Sequence, residues 1–112
     1  MSKKCVIGSV VKGVVDRPLG SVHPEYPATV YPINYGYVEG VLGGDGEPQD
    51  AYVLGADGPI ETFEGRVIAV YRRTNDAEDK WIVSITDREY SDAEILDSID
   101  FEEKYFEGIL LR

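Results

Sequence analysis

Glycine and proline divide this chain into segments too short for ordinary helices until its last quarter. Twelve Gly and six Pro stand mostly between runs rich in Val, Ile and Tyr, and such runs bounded by turn formers read as strands. "CVIGSVVKGVVD" supplies one or two strands, interrupted at Gly8 or Gly13. "INYGYVEGVL" and "AYVLGA" supply two more. "GRVIAVYRRT" and "KWIVSI" are the clearest, joined by a polar hairpin loop from Asn75 to Asp79. "RPLGSVHPEYPATVYP" contains four prolines, whose missing N–H groups exclude a central strand or a helix, so an ordered loop is expected.

The pattern changes at Ser91. Glu94 three residues later completes a capping-box signal, and Ile95, Leu96, Ile99, Tyr105 and Phe106 form a rough apolar stripe. A helix is expected from about Asp92, either continuous or restarted with Asp100 as a second cap, and Gly108 is placed to stop it. The local pattern therefore describes a mainly β chain: a small antiparallel barrel or sheet with one or two C-terminal helices.

A length of 112 residues, 43% of them hydrophobic, suits one core and one domain over 1–112. Eleven basic residues face 21 acidic ones, and a formal charge of -10 argues against a nucleic-acid surface. The lone Cys5 excludes an internal disulfide and fits a reducing compartment. Only Val6 and Ile7 precede Gly8, too short an apolar run for a signal peptide, and no segment approaches a membrane span. A cytoplasmic protein without a membrane partner is the expectation.

Against this background, "GDGEPQD" crowds Asp45, Glu47 and Asp50 around a Gly and a Pro. Mutual repulsion there gains nothing unless something positive lies between the carboxylates. Mg²⁺ takes one or two protein carboxylates and completes its octahedron with water and phosphate oxygens. Gly46 permits the sharp turn that would let Asp45 and Asp50 converge. The alternative is a hydrophilic hairpin tip, and spacing alone does not choose between them. An EF-hand is excluded because its ligand ladder is absent.

The context is informative. "YPINYGY", a short strand and then "DGEPQDAYVLG" resemble the signature region of the soluble family I inorganic pyrophosphatases, and the likeness extends more weakly from Asp16 to Tyr105. The resemblance implies an OB-like five-stranded barrel with helices, and Mg²⁺-dependent hydrolysis of pyrophosphate to two phosphates. It implies Asp45 and Asp50 as metal ligands, Asp50 bridging, and Glu47 as the group that orients or deprotonates water. Tyr35 would line the site, Asp79 would bind metal, and Tyr105 would hydrogen-bond a phosphate. The N-terminal segment aligns in two ways. "VVDRP" either makes Arg17 the phosphate-binding arginine or makes Asp16 a metal-side carboxylate, with an intervening hairpin missing. Complete relatives assemble, so a homo-oligomer stays open.

Several positions depart from the family pattern. Glu47 replaces an Asp, Asn75 stands where another metal-binding Asp is expected, and Gln49 fills a normally hydrophobic place. The family's phosphate-binding lysine falls at Trp81, so strand alternation sends Lys80 away from the site. The basic residue after the C-terminal tyrosine is Phe106. His23, the only histidine, reads as structural or exposed, Arg72 and Arg73 as an exposed strand end, and the acidic run from Asp97 to Glu103 as a solvated helix face. A weakened relative that binds phosphate-containing ligands, or an acidic module that meets a basic protein, are the competing functional readings.

Overall fold

The computed structural model describes residues 6–43, 46–74 and 79–112. Its elements are β1 (Val10–Arg17), β2 (Asn34–Leu42), β3 (Pro48–Leu54), β4 (Thr62–Arg73), β5 (Asp79–Ser84), α1 (Asp92–Glu103) and β6 (Gly108–Leu111). The sheet runs β1-β2-β3-β5-β4-β6, and an additional β1–β4 pairing closes its first five strands into a barrel. The mainly β, five-stranded barrel expected from the sequence is therefore present. It is not wholly antiparallel: β5 lies between β3 and β4 and runs parallel to β3.

Strand alternation builds two cores. Val15, Val38, Ala51, Val53, Phe63, Val67, Trp81 and Val83 pack together in one. The intervening residues Tyr52, Leu54, Ala69, Tyr71 and Ile82 form the other with Ile95 and Ile99 of α1. Burying such side chains contributes about 1.5–3 kcal/mol each for the larger aliphatic ones. Gly36 permits the β1–β2 approach, because a Cβ there would lie 1.9 Å from the Val14 carbonyl oxygen.

The helix is single. Ser91 Oγ accepts from the Glu94 N–H while a Glu94 carboxylate oxygen accepts from the Ser91 N–H, as the capping box requires. The helix continues through Asp100 because Ile95, Ile99 and Glu103 recur every fourth residue on its buried side. Gly108 does not stop it. The helix ends at Glu103, and Gly108 begins β6, where a Cβ would lie 2.6 Å from the Tyr71 ring and 2.7 Å from the Arg72 carbonyl oxygen.

Two surface expectations are also corrected. Arg72 is exposed, but Arg73 is buried and donates from Nε and Nη2 to the two carboxylate oxygens of Glu103, at 2.8 and 2.7 Å. Glu103 is itself buried, so the acidic run is not wholly a solvated face. Bidentate pairing is what makes burial of both charges tolerable. No helix among the described residues is long and apolar enough to cross a membrane.

Candidate active site

Asp50 and Tyr52 on β3, and Lys80 and Ile82 on β5, share one face of the barrel wall. The parallel ladder pairs Ala51 with Trp81 and Tyr52 with Ile82, so Asp50 and Lys80 come together although 30 positions separate them. Lys80 Nζ donates to Asp50 Oδ2 and to the Tyr35 hydroxyl, both at 2.7 Å. Lys80 is buried, whereas the Asp50 side chain keeps 28% of its exposure.

Lys80 therefore faces the cluster that it was expected to face away from. The alignment put the family's lysine position at Trp81, but Trp81 packs into the first core, as an aromatic residue in a strand is expected to do, and alternation turns Lys80 toward Asp50. Gln49 holds this register. Its Nε2 donates to the carbonyl oxygens of Asp50, at 3.0 Å, and Asp79, at 2.6 Å, tying the starts of the two parallel strands.

A second edge comes from the end of β1, where a register shift between Val15 and Arg17 leaves Arg17 opposite Tyr35. Asp16 sits at that irregularity. Displaced hydration raises its carboxyl pKa above the ordinary value, Arg17 opposes the rise, Asp50 adds to it and Lys80 opposes it. Asp16 thus feels the charges of Arg17, Asp50 and Lys80. Arg17 Nη1 donates to the Tyr31 hydroxyl at 3.1 Å. Buried Asn34 of the "YPINYGY" segment supports the corner from beneath. Its Oδ1 accepts from the N–H groups of Leu19 and Ile60, and its Nδ2 donates to the Gly58 carbonyl oxygen.

The other expected residues stand before β3, at the start of β5 and beyond α1. Glu47 is exposed in the turn before β3, which Gly46 closes at φ +83° with its N–H bonded to the Gly43 carbonyl oxygen. Asp79, half-buried, opens β5 next to Lys80. Tyr105 lies beyond the helix and is 70% exposed. Asp45 and Asn75 lie outside the described residues.

Among the described residues, no group of three or more His, Cys, Asp or Glu side chains is spaced to hold a metal ion. Asp16 and Asp50 are nevertheless hard-oxygen donors of the kind that Mg²⁺ takes one or two at a time, leaving its other positions to water and phosphate.

Behind the corner is a cluster of rings. Tyr35 lies 5.0 Å from Tyr52 and 5.9 Å from Tyr31. Tyr31 meets Phe101 edge-on at 5.3 Å and stacks with His23 at 6.1 Å and 12°. The Tyr52 hydroxyl lies 2.5 Å from both Glu102 Oε2 and Glu103 Oε2. Burial first, and then these two carboxylates, push its pKa far up, so the phenol remains a donor. Next to these rings is a hollow of about 590 Å³ between the proline-rich loop and the C-terminal end of α1. His23 shapes that loop: its Nδ1 accepts from the Glu25 N–H and its own N–H bonds the Thr29 carbonyl oxygen.

The sequence pattern of the family described as inorganic pyrophosphatase matches residues 8–110. The chain belongs to that family. It is 32% identical over 102 residues to the inorganic pyrophosphatase of Corynebacterium glutamicum, covering 84% of this chain and 65% of the relative. A Streptomyces coelicolor inorganic pyrophosphatase is 40% identical over 78 residues, covering 62% of this chain and 46% of the relative. This pyrophosphatase-family chain therefore spans less than two thirds of either relative's length. Its fold matches the inorganic pyrophosphatase structures from Ehrlichia chaffeensis, with TM-score 0.69, 16% identity and coverage of 91% and 84% of the two chains, and Thermus thermophilus, with TM-score 0.64, 19% identity and coverage of 100% and 84%.

Lys80 was the residue that sequence reasoning misplaced. Trp81 and Tyr71 read as core residues from the sequence, and counting alternation from Trp81 rather than from the aligned lysine would have put Lys80 beside Asp50.

Proposed function

We propose that this family member hydrolyses inorganic pyrophosphate to two phosphates with the help of bound Mg²⁺. The observation that carries the reading is the Asp50–Lys80–Tyr35 cluster, bordered by Asp16 and Arg17, on the wall of a pyrophosphatase-type barrel. Asp50 and Asp16, with Asp45 and Asp79, would hold the cation. A bound Mg²⁺ supplies charge neutralisation and lowers the pKa of water near the phosphate.

The chain's own groups do the remaining work. Lys80 and Arg17 place positive charge where substrate oxygens gather, which offsets the repulsion between a chain of charge -10 and a polyanion. Tyr31 orients Arg17, and Tyr35 and Asp50 orient Lys80. Glu47 accepts a proton from the attacking water, and Tyr105 donates to a phosphate oxygen from the loop beyond α1. The water oxygen bonds to one phosphorus as the bond from that phosphorus to the bridging oxygen breaks. The bridging oxygen keeps the electron pair and leaves on the second phosphate.

A second reading, phosphate-ligand binding without efficient turnover, draws on Lys80, whose ammonium already holds one oxygen of Asp50. Phosphate release from pyrophosphate across a Mg²⁺ titration distinguishes the two. Hydrolysis reduced at least about 10²-fold in Asp50→Ala and faster in Glu47→Asp is expected, since misplacement by about 1 Å can change rates by that order. No phosphate release by the wild-type chain at any Mg²⁺ concentration rejects hydrolysis.

A further inference from the structure

A carboxylate that bridges two metal ions gives one oxygen to each, and the two oxygens of Asp50 are not equivalent. Oδ2 accepts from Lys80 Nζ at 2.7 Å, whereas no donor among the described residues meets Oδ1. An ordinary surface lysine would yield its place to a divalent ion and swing into water. Lys80 has no such freedom. Its side chain keeps 4% of its exposure, and its ammonium also donates to the Tyr35 hydroxyl at 2.7 Å. The Tyr35 ring is packed in turn against Tyr52 and Tyr31, at 5.0 and 5.9 Å. Taking Asp50 away from this ammonium would strand a buried charge, one of the more costly changes a folded chain can undergo.

Mg²⁺ binds a carboxylate oxygen at about 2.1 Å. An ion that shared Oδ2 with Lys80 would therefore lie about 4 Å from Nζ, a divalent charge set against a buried one. The open oxygen, Oδ1, avoids this contact. The supply of ligands points the same way. Among the described residues no group of three or more His, Cys, Asp or Glu side chains is spaced to hold an ion, and a pair of ions needs more oxygen donors than one.

We infer that the Lys80 ammonium is a built-in cation that takes the place of one divalent ion at Asp50, so that Asp50 binds a single Mg²⁺ and does not bridge two. The inference rests on the proposed function for its metal, although not for turnover. The bridging role that the family resemblance implies for Asp50 is then half filled by an amino group. One cation of the corner is supplied permanently by the chain, and the other comes from solution. The same ammonium still adds positive charge where the phosphates of the substrate gather.

The test counts ions in the absence of substrate, by Mn²⁺ titration read by electron paramagnetic resonance and Mg²⁺ titration by calorimetry, on wild type, Asp50→Asn and Lys80→Met. Wild type should bind one ion more than Asp50→Asn. Lys80→Met, its fold checked by circular dichroism, should bind the Asp50-dependent ion more tightly by roughly tenfold or more, since a single charge about 5 Å from a divalent one repels it by that factor even at the dielectric constant of water. Two ions lost in Asp50→Asn, none lost, or an affinity unchanged or weaker in folded Lys80→Met rejects the inference. If Lys80→Met does not fold, the ion counts of wild type and Asp50→Asn decide alone. Phosphate release from pyrophosphate by wild type separates this inference from the hydrolytic reading. Release with two Asp50-dependent ions rejects the built-in cation and leaves hydrolysis standing. No release with one such ion rejects hydrolysis and leaves the built-in cation standing.

Discussion

Replacing Arg73 by Met should destabilise the protein more than the loss of a surface ion pair can explain. The Arg73 and Glu103 side chains retain 4% and 3% of their exposure, and two hydrogen bonds of 2.8 and 2.7 Å join them. Met fills much of the arginine volume but leaves the Glu103 carboxylate buried with the Tyr52 hydroxyl as its remaining partner in this group. Removing one partner of a buried pair costs about 3–5 kcal/mol. The guanidinium also lies 3.6 Å from the Phe106 ring centroid, and that contact contributes about 0.5–2 kcal/mol. A loss of about 4 kcal/mol would remove a large share of the ~5–15 kcal/mol that holds a typical protein folded, and would lower Tm by on the order of 15–20 °C for a chain near this size. Urea denaturation should show a lower midpoint with little change in slope. The double variant Arg73→Met with Glu103→Leu should recover most of the loss, because an apolar pair of similar volume often equals or exceeds a buried ion pair. A loss below about 1 kcal/mol, the range of exposed pairs, would show that water reaches the pair in solution. A double variant no better than the single one would equally refute the reasoning.

Lys80→Met should act more strongly on function than on stability. Asp50 keeps 28% of its side-chain exposure, so water takes over part of the lost pairing, and a cost of about 1–3 kcal/mol is expected in denaturant titration. Pyrophosphate hydrolysis should fall by about 10²-fold or more, as when an electrostatic donor is removed from a reacting oxygen; unchanged kcat/KM would remove Lys80 from the site. The Glu94 cap gives a pH-dependent outcome. Its carboxyl titrates below the ordinary value of 4.5, chiefly because it accepts the Ser91 N–H, with Arg88 also paired to it. The folded state therefore prefers the ionised form, so the stabilisation is complete above 4.5 and disappears as pH falls through the lower folded value. The stability difference between wild type and Glu94→Gln, measured by urea midpoints from neutral to acid pH, should shrink over that interval. A difference that stays constant would exclude the linkage.

What the sequence disclosed and what it concealed differ in the range of the forces involved. The capping box at Ser91, the turn at Gly46 and the strands themselves are local, and each appeared where its residues stood. Strand β6 escaped notice because it is four residues long and depends on its pairing with β4. The misread residues are of another kind. Arg73 and Glu103, like Lys80 and Asp50, are partners 30 positions apart, and a charge buried by such a distant partner has no local signature. The site depends on the parallel β3–β5 pairing in particular, since that ladder decides whether Lys80 or Trp81 lies beside Asp50. Gln49, the polar residue in a normally hydrophobic place, bonds to the backbone of both strands at that junction. Its departure from the family pattern and the correct facing of Lys80 therefore belong to one arrangement: a buried amide fixes the register that sets an ammonium against the central carboxylate.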